Sequence, residues 1–579
     1  MDIGKLFKKL PKEYHSHKFT GICLDSRDCK KGDLFLSING ETKNGNQFIN
    51  HAIKKGAKII ISNLNFQGKK NNVLFIKNKN VRKLASEISS KFYNKKPNNL
   101  IAITGTNGKS SIADFYFQIL KNNKINAASI GTLGIKTKKN KKQTINTTLD
   151  PVTINKTLFS IFKKKIKNTI LEASSHGLKQ HRLDGIKFDI SIFTNLSRDH
   201  LDYHKTYKDY LNSKLILFNK LTKKNGFIIY DNDIPQSKIL EKICYKKKIK
   251  SITIGTKNSD LIVNKHQYDG GLQKVEFVFN KKKYLLSTSL IGKIQIKNLL
   301  FSILAANKSK IKFEKIIKSI EKVKPIDGRL ENIGRIKNNS KVILDYAHTP
   351  GALKCALESL RDQFPLSSIS IVFGCGGNRD KIKRPLMGRI ANQYCSKIYL
   401  TDDNPRYENP KKIRNEIKNT IDNLKLIEIS SRKKAIENAI DNLKTGDILL
   451  VAGKGHEIYQ EQKGKRKIFS DKNYIFKAIN KKNKKLFKDW KINILNEKCN
   501  LGKIRKNITI NKASINSKNV KKNDIFFAIK GPKKDGNNYS DESIKRGAAL
   551  AVVNKIGKQN RLKKIKVKNT LKILTNSSK

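Results

Sequence analysis

The chain has 579 residues, 37% of them hydrophobic, with a formal net charge of +75. That length accommodates several domains with packed cores. No apolar run reaches the roughly 18 residues needed to span a bilayer, and the first twenty residues lack a signal-peptide core, so neither membrane insertion nor export is expected. The lysines are spread along the whole chain among many Asn and Ile residues, as A/T-rich codon usage produces. A nucleic-acid footprint would cluster on one face or segment, so no nucleic-acid partner is expected, although the positive field would draw anionic nucleotides.

In chain order, residues 20–63 alternate short apolar runs (GDLFLSI, AKIIIS) with Gly/Asn turns and one helical pattern, QFINHAIKKGA. This reads as a small α/β module. The seven cysteines are odd in number, without CxxC pairs or zinc-like spacing, which points to reduced thiols and a cytoplasmic protein. Next, KPNNLIAITGTNGKSSIADFYFQIL joins a buried-strand run, a glycine turn and a helical spacing. From there to about residue 325, strands such as NTILEASS and FDISIFTNL alternate with helices, as a parallel sheet with crossovers requires. Beyond PIDGRLE the pattern restarts in KVILDYAHT, SISIVFGCGG, SKIYLTDDNP and GDILLVAGKG, each strand ending in a polar or glycine-rich tip. Open α/β sheets place their ligands at such tips.

A lysine-rich segment, KAINKKNKKLFKDWK, then leads into an echo of the opening. KKGDLFLSING at 30–40 returns as KKNDIFFAIKG at 521–531. Ser26, Asp33, Phe35, Gly40, Gly45, Asn46, Gly56 and Ala57 recur as Ser517, Asp524, Phe526, Gly531, Gly536, Asn537, Gly547 and Ala548, all at one separation (548 − 57 = 491). One repeat at so long a period is no solenoid but a duplicated module around something larger. The expected fold class is therefore α/β in four blocks: 1–97, 98–328, 329–490 and 491–579.

The sharpest local signal is TGTNGKSS at 104–111, between strand and helix. Its glycines let backbone N–H groups close around phosphates, Lys109 can reach terminal phosphates, and Ser110 can ligate Mg²⁺. The spacing departs from G-x-x-x-x-G-K-[ST] because Ile103 stands where the first glycine would be. Glu172 and His200 each follow an expected strand and would reach a metal on phosphate oxygens. A histidine after a strand is by itself more often structural; a phosphate loop in the same domain favours the joint reading.

The ordered series GTNGKSS, NTT (146–148), EASSHGLKQHRLDG, TNLSRDHLDYH, NSKLILF, DYAHTPGAL, FGCGGNRDKIKRPLMG, TDDNPR and VAGKGHEIYQ resembles the Mur ligase family over about residues 20–480. The resemblance implies a three-domain α/β architecture: a small substrate module, a central P-loop-type ATPase sheet and a Rossmann-like C-terminal domain. It also implies an ATP-dependent amide ligase acting on a UDP-N-acetylmuramoyl dipeptide through an acyl phosphate, working as a monomer. By resemblance, ATP is held by Gly105, Thr106, Asn107, Gly108, Lys109, Ser110 and Ser111, with Asn298 and Arg329 nearer the adenine and the domain junction. Lys109, Glu172, His200 and Lys214 would be catalytic, and Ser110, Glu172 and His200 would serve Mg²⁺. Lys214 matches the family lysine that CO₂ converts to a carbamate able to hold a second Mg²⁺.

For the nucleotide-linked substrate the matching positions are Leu24, Ser26, Asn146, Thr147, Thr148, Ser174, Gln180 and Arg182. In LIGKIQIKNLL the family's usual Phe-Asn is replaced by Ile294 and Gln295. DNPR at 403–406 is the form associated with meso-diaminopimelate as the added amino acid. Arg379 and Arg406 would take its carboxylate, and Asp403, Asn404, Pro405, Gly453 and Glu457 would surround its distal ammonium end. DDNPR is also a good turn sequence, since Asp and Asn start turns and Pro fixes one backbone angle. Other readings are an L-lysine-adding ligase, a folylpolyglutamate-type ligase and a basic nucleic-acid-binding ATPase. The C-terminal echo resembles the opening module of the D-alanyl-D-alanine-adding ligase of the same family. No second phosphate loop follows it, and the expectation is a fusion whose second enzyme is truncated.

Overall fold

A computed structural model of the chain describes residues 1–7, 10–40, 44–144, 146–269, 271–488, 510–531, 534–557, 559–560 and 563–577. The expected boundary at 490/491 lies outside them. The chain divides into two compact units, one holding 1–332, 343–431 and 450–469, the other 333–342, 432–449 and 470–579.

The first unit opens with a five-stranded sheet in the order β1 (Ile22–Cys23), β2 (Leu34–Leu36), β3 (Ile59–Ser62), β5 (Val73–Lys77), β4 (Gly68–Lys70). Only β4 runs antiparallel to its neighbour. Leu34, Leu36, Ile59, Ile61, Leu74 and Ile76 fill one face with Val81, Ala85 and Ile88 of the helix Val81–Phe92. One expectation is corrected here: Cys23 and Cys29 form a disulfide. The short 3₁₀ turn Ser26–Asp28 doubles the chain back and brings the two Cα atoms within 5.6 Å, inside the span a disulfide bridges.

The central sheet has eleven strands. Its parallel core runs β13 (Lys250–Gly255), β12 (Thr222–Asp231), β11 (Phe188–Phe193), β6 (Asn99–Thr104), β10 (Asn168–Glu172), β7 (Ala127–Gly131). Along β6 the side chains alternate between two cores, Leu100 and Ala102 into one, Ile101 and Ile103 into the other. A strand covered on both faces needs the unbroken apolar run that NLIAIT supplies. The sheet is not purely parallel as expected. β14 (Leu261–Asp269), β15 (Leu272–Phe279) and β16 (Lys282–Thr288) add an antiparallel meander at one end, and β8 (Gly134–Thr137) and β9 (Lys141–Lys142) extend the other. β15 alternates buried and exposed residues, and the turn before β16 has positive φ at Asn280 and Lys281. That is the twist-matched form of a two-residue hairpin.

In the third block of this unit, the strands Ile369–Phe373, Lys397–Leu400 and Leu426–Glu428 pair in parallel. Their carboxyl ends lead into 374–379 and 401–406, as the strand-then-loop pattern predicts.

The second unit contains the helices Arg432–Asp441 and Asp471–Lys488, tied by the fully buried ion pair of Arg432 with Asp471. Its last part is a parallel four-stranded sheet of Ala513–Ser514, Ile525–Phe527, Leu550–Val553 and Lys564–Lys566.

Candidate active site

β6 ends at Thr104 and the helix Lys109–Asn122 begins five residues later. Gly105 and Gly108 have φ of +147° and +89°, and a Cβ would lie 1.9 Å from Thr194 Oγ1 at the first and 2.4 Å from Asn298 Oδ1 at the second. Both turns therefore require glycine. Ser302, one turn beyond Asn298 on the helix Lys293–Asn307, donates to the Ile112 carbonyl at 3.1 Å, which fixes the two helices and sets Asn298 beside the loop. Asn107 N–H donates to Asn195 Oδ1 (2.9 Å), and Thr194 Oγ1 donates to the Asn107 carbonyl (2.6 Å).

Lys109 Nζ donates to the carbonyls of Gly105 (2.9 Å) and Thr106 (2.8 Å). Lys214 Nζ, with its residue only 1% exposed, donates to the same Gly105 carbonyl (2.8 Å) and lies 4.3 Å from the Tyr210 ring centroid. Burial lowers the pKa of Lys109, opposed by Glu172 and Asp199. Burial and then the charge of Lys109 hold Lys214 well below the usual lysine range. Loss of solvation pushes His200 down to about 4, against the pull of Asp199, so its ring is neutral near pH 7.

Glu172, 2% exposed at the end of β10, accepts from Ser110 Oγ (2.9 Å), Thr132 N–H (2.9 Å) and Thr132 Oγ1 (3.2 Å). Thr132 Oγ1 lies 3.0 Å from Thr147 Oγ1. Thr148 Oγ1 donates to the Glu172 carbonyl and is 2.9 Å from Ser174 Oγ. Arg182 Nη1 donates to the Thr148 carbonyl (2.6 Å) and its fork grips Gln180 Oε1. Thr147, Thr148, Ser174, Gln180 and Arg182 thus form one polar shelf around Glu172. Ser86 Oγ and Ser90 Oγ, on the helix Val81–Phe92, donate to the carbonyls of Arg182 (3.2 Å) and Gly185 (2.6 Å), so the opening module is anchored on that shelf. Asn146 is exposed at its rim.

Thr106 to Ser111, Glu172, Asn298 and Arg329 line a cavity of about 450 Å³, a size typical of small-molecule sites. A second cavity of about 380 Å³ is lined by Arg379, Asp403, Asn404, Arg406, Gly453 and Glu457. Asp199, His200, Tyr346 and His348 line both, so His200 stands at their common border. The Arg329 guanidinium stacks 4.5 Å from the Tyr346 ring centroid. Leu24 and Ser26 line neither cavity; the Ser26 hydroxyl, 4% exposed, bonds His51 Nδ1 at 2.9 Å in the opening module.

In the second cavity Arg406, held at φ +51° after Pro405, donates from Nη1 to the Gly377 carbonyl (2.8 Å). Gly453 has φ +112°, and a Cβ there would meet Asp403 Oδ2 at 2.8 Å. The fully buried Lys454 donates from Nζ to Asn404 Oδ1 and Glu457 Oε2, both at 3.1 Å, and lies 4.0 Å from Asp403. Sequence reasoning passed over this lysine, although it stands inside the quoted VAGKGHE. It also passed over Thr132, Asn195, Asp199, Tyr346 and His348, the last four of them inside motifs it quoted.

Residues 103–306 match the family described as Mur ligase middle domain, residues 328–455 the Mur ligase glutamate ligase domain, and residues 18–93 the Mur ligase family catalytic domain. Over 476 residues the chain is 41% identical to the UDP-N-acetylmuramoyl-L-alanyl-D-glutamate--2,6-diaminopimelate ligase of Rickettsia conorii, covering 80% of this chain and 97% of that protein. The chain belongs to the Mur ligase family. The enzyme of the same name from Rickettsia prowazekii is 39% identical over 484 residues, covering 83% of this chain and 98% of its own length. A solved structure of a UDP-N-acetylmuramoyl-L-alanyl-D-glutamate--2,6-diaminopimelate ligase matches with a TM-score of 0.62 and 29% identity, covering 83% of this chain and 99% of that one. The three-domain Mur ligase architecture is therefore present in this chain, and each of the two cavities described is lined by residues of both the middle and the glutamate ligase domains.

Proposed function

We infer that this Mur ligase is an ATP-dependent, amide-forming enzyme that adds 2,6-diaminopimelate to UDP-N-acetylmuramoyl-L-alanyl-D-glutamate in peptidoglycan precursor synthesis. The observation that carries the reading is the pair of cavities meeting at His200, one floored by the glycine loop before Lys109, the other lined by Arg198, Arg379 and Arg406. Residues 1–97 would take the nucleotide end of the substrate through Leu24 and Ser26, residues 98–328 the ATP, and residues 329–490 the amino acid. The shelf of Thr147, Thr148, Ser174, Gln180 and Arg182, with Asn146 at its rim, would bring the D-glutamate carboxylate toward the phosphate loop.

A carboxylate is a poor acyl donor. Transfer of the terminal phosphoryl of ATP to it gives an acyl phosphate, which the incoming amine attacks to leave an amide, ADP and phosphate. Lys109 would neutralise charge on the transferring group, which makes the step mainly one of positioning and electrostatics. The hydroxyl of Ser110 and the carboxylate of Glu172 are a hard-oxygen donor set that suits Mg²⁺, with neutral His200 as a further ligand. Such an ion, when bound, supplies positive charge to the phosphate oxygens. Lys214 suits carbamate formation because burial beside Lys109 favours the unprotonated amine that adds to CO₂.

Charge balance bears on the amino acid. The cavity is lined by Arg198, Arg379, Lys383 and Arg406 and by Asp199, Asp380, Asp403 and Glu457, four cations and four anions, and Lys454 behind it already uses acceptors on Asn404 and Glu457. A balanced lining with guanidinium forks suits an amino acid whose far end carries a carboxylate as well as an ammonium over one with a bare ammonium tail. We read the working unit as a cytoplasmic monomer without a nucleic-acid partner, and the Cys23–Cys29 disulfide is the one feature that pulls against that compartment.

Purified protein given ATP, the UDP-linked dipeptide and either amino acid tests this. Ligation with diaminopimelate is expected at a kcat/KM about 100-fold or more above that with L-lysine, because a site built to pair a polar group of its substrate is left with unpaired groups by an analogue that lacks it. Preference for lysine would overturn the specificity, and no ligation with either would overturn the reading.

A further inference from the structure

The duplicated module survives in three dimensions, and through its first three strands it does so element for element. A shift of 491 carries Ile22–Cys23 onto Ala513–Ser514, Ser26–Asp28 onto Ser517–Asn519, Leu34–Leu36 onto Ile525–Phe527, Gly45–Phe48 onto Gly536–Tyr539, Ile49–Lys54 onto Ser540–Lys545 and Ile59–Ser62 onto Leu550–Val553. Strand register follows: Ile22 opposite Leu34 becomes Ala513 opposite Ile525, and Leu34 opposite Ile59 becomes Ile525 opposite Leu550. After the third strand the second copy is two residues shorter. Ile60 opposite Phe75 becomes Ala551 opposite Lys564, a shift of 489 (564 − 75).

The strands of the copy build their own core, with Ile525, Phe527, Leu550 and Val552 on one face and Phe526, Ala528, Ala551 and Val553 on the other, while Ile515, Ile556 and Leu571 stay exposed. Its polar residues gather elsewhere. All four strands are parallel, so the loops that follow them leave from one edge of the sheet. Ligands of open parallel sheets bind at that edge. There Ser517 Oγ donates to Glu542 Oε2 (3.2 Å), where the first copy has Ser26 with His51 (2.9 Å). Asn554 N–H donates to Asn537 Oδ1 (2.9 Å), where the first copy has Asn46 Nδ2 donating to Asn63 Oδ1 (2.9 Å). The buried serine in the first turn and the asparagine pair across the next two loops thus both recur.

We propose that the carboxyl edge of the second copy, around Ser517, Asn537, Glu542 and Asn554, is a second site for a uridine-diphosphate-linked muramoyl peptide, separate from the site that feeds ligation. The proposal rests on reading the first copy as the module that takes the nucleotide end of the substrate. Glu542 stands where the first copy has His51; its Oε1 accepts from Arg546 Nε (3.0 Å) and its Oε2 from Ser517 Oγ, and the second lone pair of each oxygen is an acceptor for the imide N–H of uracil or the hydroxyls of ribose. Because the product of ligation keeps the nucleotide of the substrate, the second site is open to it. A reaction class that consumes such a product would activate its newly added free carboxylate.

Equilibrium dialysis of the full chain, without ATP, against UDP and against the UDP-linked dipeptide and tripeptide tests the proposal. Two equivalents per chain are expected for at least one UDP-linked peptide, and the better peptide at the second site separates substrate from product. Glu542→Lys should weaken one equivalent at least tenfold and leave diaminopimelate addition unchanged; Glu542→Gln, which keeps size and an acceptor, should weaken it less. One equivalent in the unaltered chain, with ligation intact, overturns the second site and leaves the first reading standing. No binding at all overturns both, and two equivalents indifferent to Glu542→Lys overturn the assignment of the second to this module.

Discussion

The two copies of the small α/β module share four parallel strands, with one register through the first three, while differing in what fastens them and what they serve. In the first, Ser86 and Ser90 tie the module to carbonyls of the substrate shelf beside the phosphate loop. Its first loop is closed by the Cys23–Cys29 disulfide and by the Asp25–Arg27 pair. In the second, Ser514 and Val520 stand at the cysteine positions, and Asn516 and Lys518 at the paired ones. The difference teaches that the sheet is specified by its apolar face, which both copies share, whereas the loops at its carboxyl edge are free to change. We assign ligation to the first copy because, among the described residues, only it is followed by a strand, glycine loop and helix of the kind that holds phosphates.

The largest expected effect removes that asymmetry. Lys109→Ala deletes the cation in the phosphate loop and should lower kcat for diaminopimelate addition by about 10³-fold or more, the scale on which charge stabilisation in phosphoryl transfer is measured. Binding of the UDP-linked dipeptide to the first copy should stay within a few-fold of its original strength. Single-turnover phosphate release with a parallel dialysis measurement checks both. A variant that loses binding and catalysis together would show that the engine and the first module cannot be treated separately.

How far these features can be read in the sequence follows from how local their causes are. The phosphate loop, Glu172 and His200 are legible because strand, turn and helix are contiguous and each supplies its own signal. The repeat is legible because its glycines and asparagines hold turn positions that tolerate few substitutes. Thr132 acts through a partner 40 residues away and nothing in its own neighbourhood marks it, whereas Asn195 lies inside TNLSRDHLDYH but its partner, the Asn107 N–H, is 88 residues away. Lys454 hides in a lysine-rich chain, where only its complete burial distinguishes it. The meander of β14 to β16 was legible as alternation, but the helix-strand rhythm before it favoured a parallel reading. The disulfide depends on a turn of three residues that no cysteine spacing rule describes.

A second test grafts one copy onto the other. Cys23→Ser with Cys29→Val gives the first module the residues of the second and opens a loop with a sequence separation of 6. Loop-closure entropy for so short a loop amounts to about 2 kcal/mol, which the first module should lose. Urea unfolding followed by hydrogen exchange in 22–36 would read it, and a reductant added to the unaltered protein should reproduce most of the loss. If reductant changes nothing in 22–36, the bridge is not what holds that loop.

The smallest effect concerns the pair beside the bridge. Hydrogen bonds from the Arg27 side chain and then its backbone N–H hold Asp25 at about 2, below the usual carboxylate value. A group depressed on folding contributes stability above its unfolded pKa, near 4, and loses that contribution as pH falls through 2. The Arg27 and Asp25 side chains are 81% and 41% exposed, so solvent screening reduces the gain to about 0.5 kcal/mol or less. Asp25→Asn reproduces the second copy's Asn516, which still accepts from the backbone N–H two residues on but carries no charge to titrate. The stability difference between the unaltered chain and Asp25→Asn, followed through protection of 22–36 between pH 6 and pH 2, should therefore shrink toward zero with acid. A difference that stays constant over that range would mean that the cap geometry, shared by both copies, does the stabilising and that the charge pair of the first adds nothing to it.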